Sequence, residues 1–192
     1  MKTYYNTLIV LILFLLISQS IYPQWVQTNG PFGGAVNSLA VSGTNIFAGT
    51  NGGGMNISTD NGSNWKSVNN GLTPPISVLS LVVSETNIFT GTDYGGGVNR
   101  STNNGANWTP IGLSTNRVYA FVVSETNIFA GTGIDNGGGG GVFLLTYNGT
   151  TWTQINNGLN CTSVNTMTSN GNNIFVSIYL GGVYRSTNNG TI

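Results

Sequence analysis

The sequence predicts an all-β fold, a β-propeller of four four-stranded blade units, from its composition, its repeat length and its lack of helical periodicity. The chain has 192 residues with 29 glycines, and 39% of it is hydrophobic, which is typical of short strands joined by glycine-rich turns. Four aligned segments recur, and their isoleucines lie 42, 40 and 46 residues apart: Ile46, Ile88, Ile128 and Ile174. A β-rich repeat of this length fits one blade per repeat. No stretch shows the 3.6-residue periodicity of a helical repeat.

Each unit contains four predicted strands. The first is an apolar run such as VLSLVV at 78–83, which we expect to be buried on both faces as an inner strand. The second, such as Ile88 to Thr92, carries a small residue that lets neighbouring sheets approach closely: Gly49, Gly91, Gly131 or Ser177. The third follows a glycine run. The fourth begins at a tryptophan that we expect to pack between blades: Trp65, Trp108 or Trp152.

The N-terminus has the pattern of a signal peptide. Lys2 precedes the uncharged apolar run Leu8 to Ile17, which is too short to span a bilayer comfortably. Residues 1–23 are therefore predicted to be a signal peptide, with cleavage between Ser20 and Gln24. Residues 24–192 form the propeller, in units of about 24–64, 65–107, 108–151 and 152–192. The mature chain is expected to be secreted, extracellular or at the cell surface (or periplasmic), with no membrane span.

An Asn-Gly pair lies between the third and fourth strands of every unit. It is preceded by Asp60, Asn103, Tyr147 or Asn188. Asn-Gly is the preferred pair for a two-residue type I′ hairpin, because both central residues need a positive φ. A calcium loop would need several oxygen ligands at close spacing, and a tyrosine cannot replace a carboxylate there. The turns are therefore predicted to be structural and to bind no metal, with these key positions: Asp60, Gly62, Asn103, Gly105, Asn148, Gly149, Asn189 and Gly190.

These turns resemble the Asp-box, or bacterial neuraminidase repeat, with its Ser/Thr-x-Asp-x-Gly-x-x-Trp pattern. STDNGSNW at 58–65 matches in full, STNNGANW at 101–108 has Asn for Asp, and LTYNGTTW at 145–152 loses both leading positions. The resemblance covers essentially the whole mature chain. It implies the propeller fold of sialidases, sortilin-type receptors, xyloglucanases and photosystem II assembly factors, and it leaves the activity open.

The residue inventory argues against most enzymes. The chain has no histidine, which excludes Ser-His-Asp and Cys-His catalysis and most zinc sites. Its single cysteine, Cys161, permits no disulfide within the chain and is predicted to be a buried apolar residue. Resemblance to sialidases would require an arginine triad, but Arg100 and Arg185 occupy equivalent repeat positions and Arg117 is the only other arginine of the mature chain. No cofactor is expected.

One catalytic alternative remains open. Asp93 and Asp135 are predicted to lie in loops of adjacent blades, on the face opposite the hairpin turns. Two facing carboxylates can serve as acid and base, or as nucleophile, in a glycosidase, as in the xyloglucanase-like relatives. The other interpretation is that each aspartate caps a solvated loop, and it leads to the prediction that the protein is not an enzyme.

The favoured hypothesis is a non-catalytic binding or scaffold module. Aromatic and hydrogen-bonding residues on the loop face suit an extracellular glycan or protein: Phe32, Asp93, Tyr94, Arg117, Asp135 and Tyr179. Charged residues make up 5% of the chain and its net charge is zero, so no nucleic-acid partner is expected.

Two arrangements of the ring are open from the sequence. The segment QWVQTNG at 24–30 resembles the outer strands WKSVNNG at 65–71 and WTQINNG at 152–158. Paired with Val183 to Thr187, it would close a ring of four blades and remove an exposed sheet edge. The other expectation is that the chain is part of a larger propeller.

Overall fold

The computed structural model describes residues 25–74, 76–93, 95–133, 140–146, 151–160 and 163–190. Several predicted positions lie outside the described residues: the signal peptide, Tyr94, Asp135, Tyr147, Asn148, Gly149 and Cys161. The described residues form strands and turns without any helix, and none of their segments is a helix that could cross a membrane.

The strands form four successive antiparallel blades of a β-propeller. Blade 1 contains β1 (Val36–Ser42), β2 (Asn45–Gly52), β3 (Gly54–Ser58) and β4 (Lys66–Ser67). Blade 2 contains β5 (Ile76–Ser84), β6 (Asn87–Thr92), β7 (Val98–Ser101) and β8 (Thr109–Pro110). Blade 3 contains β9 (Arg117–Ser124), β10 (Asn127–Gly133), β11 (Gly141–Leu145) and β12 (Thr153–Gln154). Blade 4 has three strands among the described residues, β13 (Val164–Asn170), β14 (Asn173–Ile178) and β15 (Gly182–Ser186). Blades 1 and 2 are joined in one sheet where β2 pairs with β5 at Asn51↔Ser77 and Gly52↔Ile76.

Each blade is a meander in which consecutive strands pair. In blade 2, for example, β5 pairs with β6 from Val78↔Thr92 to Ser84↔Asn87, and β6 pairs with β7. The inner strands β1, β5, β9 and β13 lie side by side in chain order. In blades 1 to 3 the fourth strand is only two residues long and follows a tryptophan: β4 follows Trp65, β8 follows Trp108 and β12 follows Trp152. Each of these tryptophans begins a predicted unit, so the fourth strand of a blade comes from the start of the next predicted unit.

The apolar core lies between the blades. One cluster forms between blades 1 and 2 around Phe47 and Val78, a second between blades 2 and 3 around Phe89 and Val118, and a third between blades 3 and 4. A propeller of this kind is stabilised by contacts between neighbouring units, as in other repeat proteins.

The predicted close approach at glycine is confirmed at three junctions. A Cβ atom added to Gly49 would lie 2.5 Å from Val78 Cγ1, one on Gly91 2.7 Å from Val118 Cγ1, and one on Gly131 2.4 Å from Val164 Cγ1. Real side chains do not approach so closely, so only glycine allows this spacing between the blades.

The tryptophans pack between blades at two of the three predicted positions. Trp108 is 3% exposed and its indole Nε1 donates to the Val68 carbonyl of the preceding blade at 2.7 Å. Trp152 donates in the same way to the Ile111 carbonyl at 3.0 Å. Trp65 differs: its Nε1 donates to the Gly62 carbonyl within its own hairpin at 3.1 Å. Blade 1 has no preceding blade among the described residues, and this explains the difference.

Burial of the inner strand is confirmed for β5 and β9, whose residues are mostly buried or half-buried. It is wrong for β1, which has no preceding blade among the described residues, and for β13, in which four of seven residues are exposed. Leu39 and Val41 of β1 are mostly exposed. The ring of four blades predicted as one alternative is not closed in this structure, because Val183 of β15 is exposed and the segment near Trp25 lies elsewhere. The four blades form an open arc.

Candidate functional site

The hairpin turns have the geometry of a type I′ turn. Asn61 and Gly62 have φ angles of 55° and 83°, Asn104 and Gly105 of 54° and 78°, and Asn189 and Gly190 of 53° and 70°. In the first turn the amide of Ser63 donates to the Asp60 carbonyl across the two central residues. The left-handed conformation is costly for most residues and is tolerated by asparagine and glycine.

In the first, second and fourth turns, a serine hydroxyl accepts a hydrogen bond from the amide of the central glycine. The Gly62 amide donates to Ser58 Oγ at 2.8 Å, and the Asn64 amide donates to Asp60 Oδ1 at 2.8 Å. The second turn repeats both bonds with neutral Asn103: the Gly105 amide donates to Ser101 Oγ and the Asn107 amide donates to Asn103 Oδ1, both at 2.9 Å. Because a carboxylate and an amide oxygen make the same contacts, these turns do not need a charge to form.

Asp60 is nevertheless electrostatically tuned. Hydrogen bonds from the Asn64 side chain and backbone, and then from Ser58, hold the pKa of the Asp60 carboxyl below its usual value. Accepted hydrogen bonds favour the charged carboxylate. The side chain is exposed, and the groups that lower its pKa, Asn64 and Ser58, belong to the same turn.

The residues with candidate binding chemistry lie on another part of the blades, where the second strand of one blade meets the inner strand of the next. Between blades 1 and 2, Ser77 Oγ donates to Asn51 Oδ1 at 2.8 Å. Between blades 2 and 3, the equivalent positions hold Arg117 and Asp93, whose Nε and Oδ1 atoms lie 2.6 Å apart. The Asp93 amide in turn donates to the Ser77 carbonyl at 2.9 Å. We call these four residues, Asn51, Ser77, Asp93 and Arg117, the junction row.

The last residues of the second strands explain why Asn51 and Asp93 occupy equivalent places in the junction row. Thr50, Thr92 and Thr132 are buried, and the first two donate from their Oγ1 atoms to the Gly54 and Gly97 carbonyls at 3.0 Å. These bonds anchor the loop after the second strand of a blade. The next residue, Asn51 or Asp93, is therefore presented to the start of the following inner strand.

Tyr119 is a neighbour of this row that sequence reasoning missed. Its ring lies against Gly133, where an added Cβ atom would be 2.4 Å from Tyr119 Cε2. Gly133 pairs with Arg117 in the β9–β10 ladder, so Tyr119 lies against the backbone partner of the arginine in the ion pair. The ladder register shifts between Gly131 and Thr132, opposite Tyr119, and a strand irregularity of this kind re-aims a side chain. In the sequence, the aromatic side chain of Tyr119 is the only feature that indicates a binding residue.

The structure brings together two of the six predicted binding residues, Asp93 and Arg117. Phe32 and Tyr179 are both mostly exposed and belong to blades 1 and 4, away from this pair. Tyr179 occupies the blade 4 position equivalent to Asn51 and Asp93, and its amide donates to the Ser163 carbonyl at 2.8 Å. Tyr94 and Asp135 lie outside the described residues, so the separation of the Asp93–Asp135 pair stays a prediction.

Comparison with solved structures identifies propeller-type proteins. An ancestral GH74 enzyme is similar with a TM-score of 0.68 and 23% identity, over 86% of this chain and 24% of that one. A GH74 xyloglucanase from Xanthomonas campestris is similar with a TM-score of 0.64 and 17% identity, over 80% and 28%. The extracellular domain of a one-component system from B. thetaiotaomicron is similar with a TM-score of 0.55 and 15% identity, over 84% and 28%.

These similarities show the β-propeller fold. This chain spans between a fifth and a third of the length of those three proteins. No protein-family model and no curated protein matches it. The propeller neighbours include both glycoside hydrolases and an extracellular domain, so the fold is compatible with catalysis and with binding.

Proposed function

We propose that this protein is a non-catalytic propeller module of the Asp-box type that binds an extracellular glycan at the junction row. The observation that carries the proposal is the Asp93–Arg117 ion pair, together with the Tyr119 ring that lies against Gly133, the ladder partner of Arg117. A carboxylate and a guanidinium group offer acceptors and donors to sugar hydroxyls, and an aromatic ring offers an apolar face. The apolar N-terminal run and the extracellular neighbour support a location outside the cell.

The ion pair also argues for binding over catalysis. Asp93 is part of a contact between two blades, where the neutral pair Asn51 and Ser77 does the equivalent work one blade earlier. A nucleophile or general acid has to reach the scissile bond, whereas the Asp93 carboxylate is held by Arg117. The fold can therefore form this junction with neutral side chains. The charges of Asp93 and Arg117 are available to bind a ligand.

The chain offers a matched control for the test. The double variant Asp93→Asn/Arg117→Ser gives the junction between blades 2 and 3 the residues of the junction between blades 1 and 2. We expect it to fold like the wild type and to bind a soluble polysaccharide such as xyloglucan about tenfold more weakly in affinity electrophoresis. Tyr119→Ala should weaken binding similarly. Unaltered retardation of both variants would contradict this site.

The alternative is a glycoside hydrolase that uses Asp93 and Asp135, as the GH74 neighbours suggest. It predicts release of reducing sugar from xyloglucan, abolished by Asp93→Asn and by Asp135→Asn. Binding without hydrolysis would favour the module. A protein ligand is the other possibility, indicated by retention of a partner protein with no affinity for polysaccharides.

A further inference from the structure

Ten Asn-Gly pairs occur in the sequence, and each is a place where the chain can modify itself chemically. The glycine amide loses its proton to water or hydroxide, and its nitrogen attacks the side-chain amide carbon of the asparagine. Glycine hinders this attack least, because it has no side chain. The new C–N bond closes a succinimide ring and the side-chain nitrogen leaves as ammonia. Water then opens the ring and leaves aspartate or isoaspartate.

In the hairpin turns, a serine hydroxyl occupies the glycine amide of the Asn-Gly pair. In the pairs Asn61-Gly62 and Asn104-Gly105 the asparagine is exposed to water and the glycine is buried. The glycine amide donates to Ser58 Oγ at 2.8 Å in the first pair and to Ser101 Oγ at 2.9 Å in the second. Since this hydrogen bond has to break before the nitrogen can attack, it raises the barrier to ring closure.

A third pair, Asn51-Gly52, is held in the same way from the next blade. The Gly52 amide donates to Ser77 Oγ of β5 at 3.1 Å. The same hydroxyl donates to Asn51 Oδ1 at 2.8 Å, so it engages both the nitrogen that would attack and the side chain that would be attacked. A hairpin turn and a junction between blades thus provide the same contact, a serine hydroxyl on the glycine amide.

The pair Asn170-Gly171 has a different environment. It lies at the tip of the β13–β14 hairpin, and both residues are exposed. The contacts of this turn are made to its carbonyl groups: Ser124 Oγ donates to the Gly171 carbonyl at 3.1 Å, and Asn173 Nδ2 donates to the Asn170 carbonyl at 3.2 Å. Among the described residues, none accepts a hydrogen bond from the Gly171 amide. Its nitrogen is therefore available for attack.

This exposure is a property of the hairpin tip in every blade. Glu85 and Glu125 occupy the place of Gly171 in blades 2 and 3, which have a packed blade on each side, and both are exposed. Their φ angles of 54° and 55° match the 57° of Gly171, so the turn is the same. The residue before this position is a serine in the first three blades: Ser42, Ser84 and Ser124. Blade 4 alone has an asparagine there.

We propose that Asn170 is a deamidation site and that the serine hydroxyls on the three glycine amides protect the other asparagines from the same reaction. The Gly171 nitrogen attacks Asn170 Cγ, ammonia leaves, and water converts the succinimide to aspartate or isoaspartate. The product carries one more negative charge. Since the chain has five basic and five acidic residues, its net charge changes from zero to minus one. The serine of the hairpin turn thus has a chemical role besides its structural one.

The experiment follows deamidation at each pair by peptide mass spectrometry while the full-length protein is incubated in mildly alkaline buffer. The same protein unfolded in guanidinium chloride gives the rate of each pair without structure. We expect Asn170 to react at nearly its unfolded rate in the folded protein. Asn51, Asn61 and Asn104 should react about three- to tenfold more slowly than when unfolded, which is the rate equivalent of one hydrogen bond.

Asn170→Ser is a matched control, because it gives blade 4 the residue that the other three blades have. Isoelectric focusing should show an acidic form of the wild type that accumulates with time, and this variant should form it more slowly. An Asn170 that reacts far more slowly in the folded protein than in guanidinium chloride would overturn the site.

Ser101→Ala and Ser77→Ala test the hydroxyl itself, and each is the control for the other. Ser101→Ala should speed the reaction of Asn104 about three- to tenfold and leave Asn51 unchanged, and Ser77→Ala should do the reverse. Circular dichroism checks that both variants fold. If Ser101→Ala does not fold, Ser77→Ala decides, because Ser77 is only half-buried. Unchanged rates, or equal acceleration at both asparagines, would overturn the protective role.

Discussion

At the scale of single residues, Gly62 of the first hairpin turn is constrained by its backbone conformation more than by lack of space. Gly62 has a φ of 83°, and the nearest atom to an added Cβ would be Thr28 Cγ2 at 3.4 Å, so space is available for a small side chain. Substitution at this position therefore measures the conformational preference of the new residue.

We predict that Gly62→Val destabilises the fold by more than about 1 kcal/mol, because a β-branched residue is strained at positive φ. Gly62→Asn is the control, since asparagine tolerates that region and should cost clearly less. Urea unfolding of the two variants makes the comparison. Equal midpoints for Gly62→Val and the wild type would contradict the turn assignment.

Asp60 gives a pH-dependent contribution with a definite sign. Its pKa is lowered in the folded state by hydrogen bonds from Asn64, so its contribution is present above the unfolded pKa, about 3.9, and is lost as the pH falls through the folded value. We predict that the melting temperature of Asp60→Asn falls less below pH 4 than that of the wild type. Neutral Asn103 in the second turn shows that the amide can make the contacts. A steeper acid response in the variant would contradict the sign.

At the scale of secondary-structure elements, the outer strands are short, and the tryptophans attach them to the preceding blade. Trp108 combines nearly complete burial with a bond to the Val68 carbonyl, while Trp65 is half-buried and bonds within its own hairpin. The same repeat position is thus used in two different environments.

We predict that Trp108→Ala destabilises the fold by about 3–5 kcal/mol, because it opens a cavity and leaves a carbonyl without its donor. Trp65→Ala should cost markedly less. Chemical denaturation of both variants provides the test, with the wild type as reference. Similar losses for the two would show that Trp65 is packed against a blade in solution.

Sequence reasoning worked for elements because each unit repeats the same local signals. The apolar inner strand, the small residue at Gly49, Gly91 and Gly131, and the Asn-Gly pair all recur at fixed positions, so one unit checks another. It did not find the exposure of β1 or the local bond of Trp65, because these depend on whether a neighbouring blade is present. A repeat pattern describes a unit with a neighbour on each side, and blade 1 has no preceding blade among the described residues.

For the candidate site, the sequence placed Asp93 and Arg117 on one face but gave no sign that they pair across two blades. Their partnership follows from the equivalence with Asn51 and Ser77, which is visible only once the sheets are assembled. Tyr119 was missed because its position depends on a register shift in β9. Such shifts have no dependable signature in composition.

At the scale of the whole molecule, the three apolar clusters between blades set the order in which the protein opens. Blades 2 and 3 each have two packed neighbours, whereas β1 and β15 each have an apolar face in solvent. In a linear array with nearest-neighbour coupling, the terminal units are held by one interface and fray before the centre.

Amide hydrogen exchange should therefore show a gradient along the arc instead of one cooperative value. For the chain of residues 1–192, we predict the strongest protection in β6 and β10 and the weakest in β1 and β15. Uniform protection across the four blades would contradict the prediction. If the gradient is found, an outer blade of the arc can unfold and refold while the central blades stay folded.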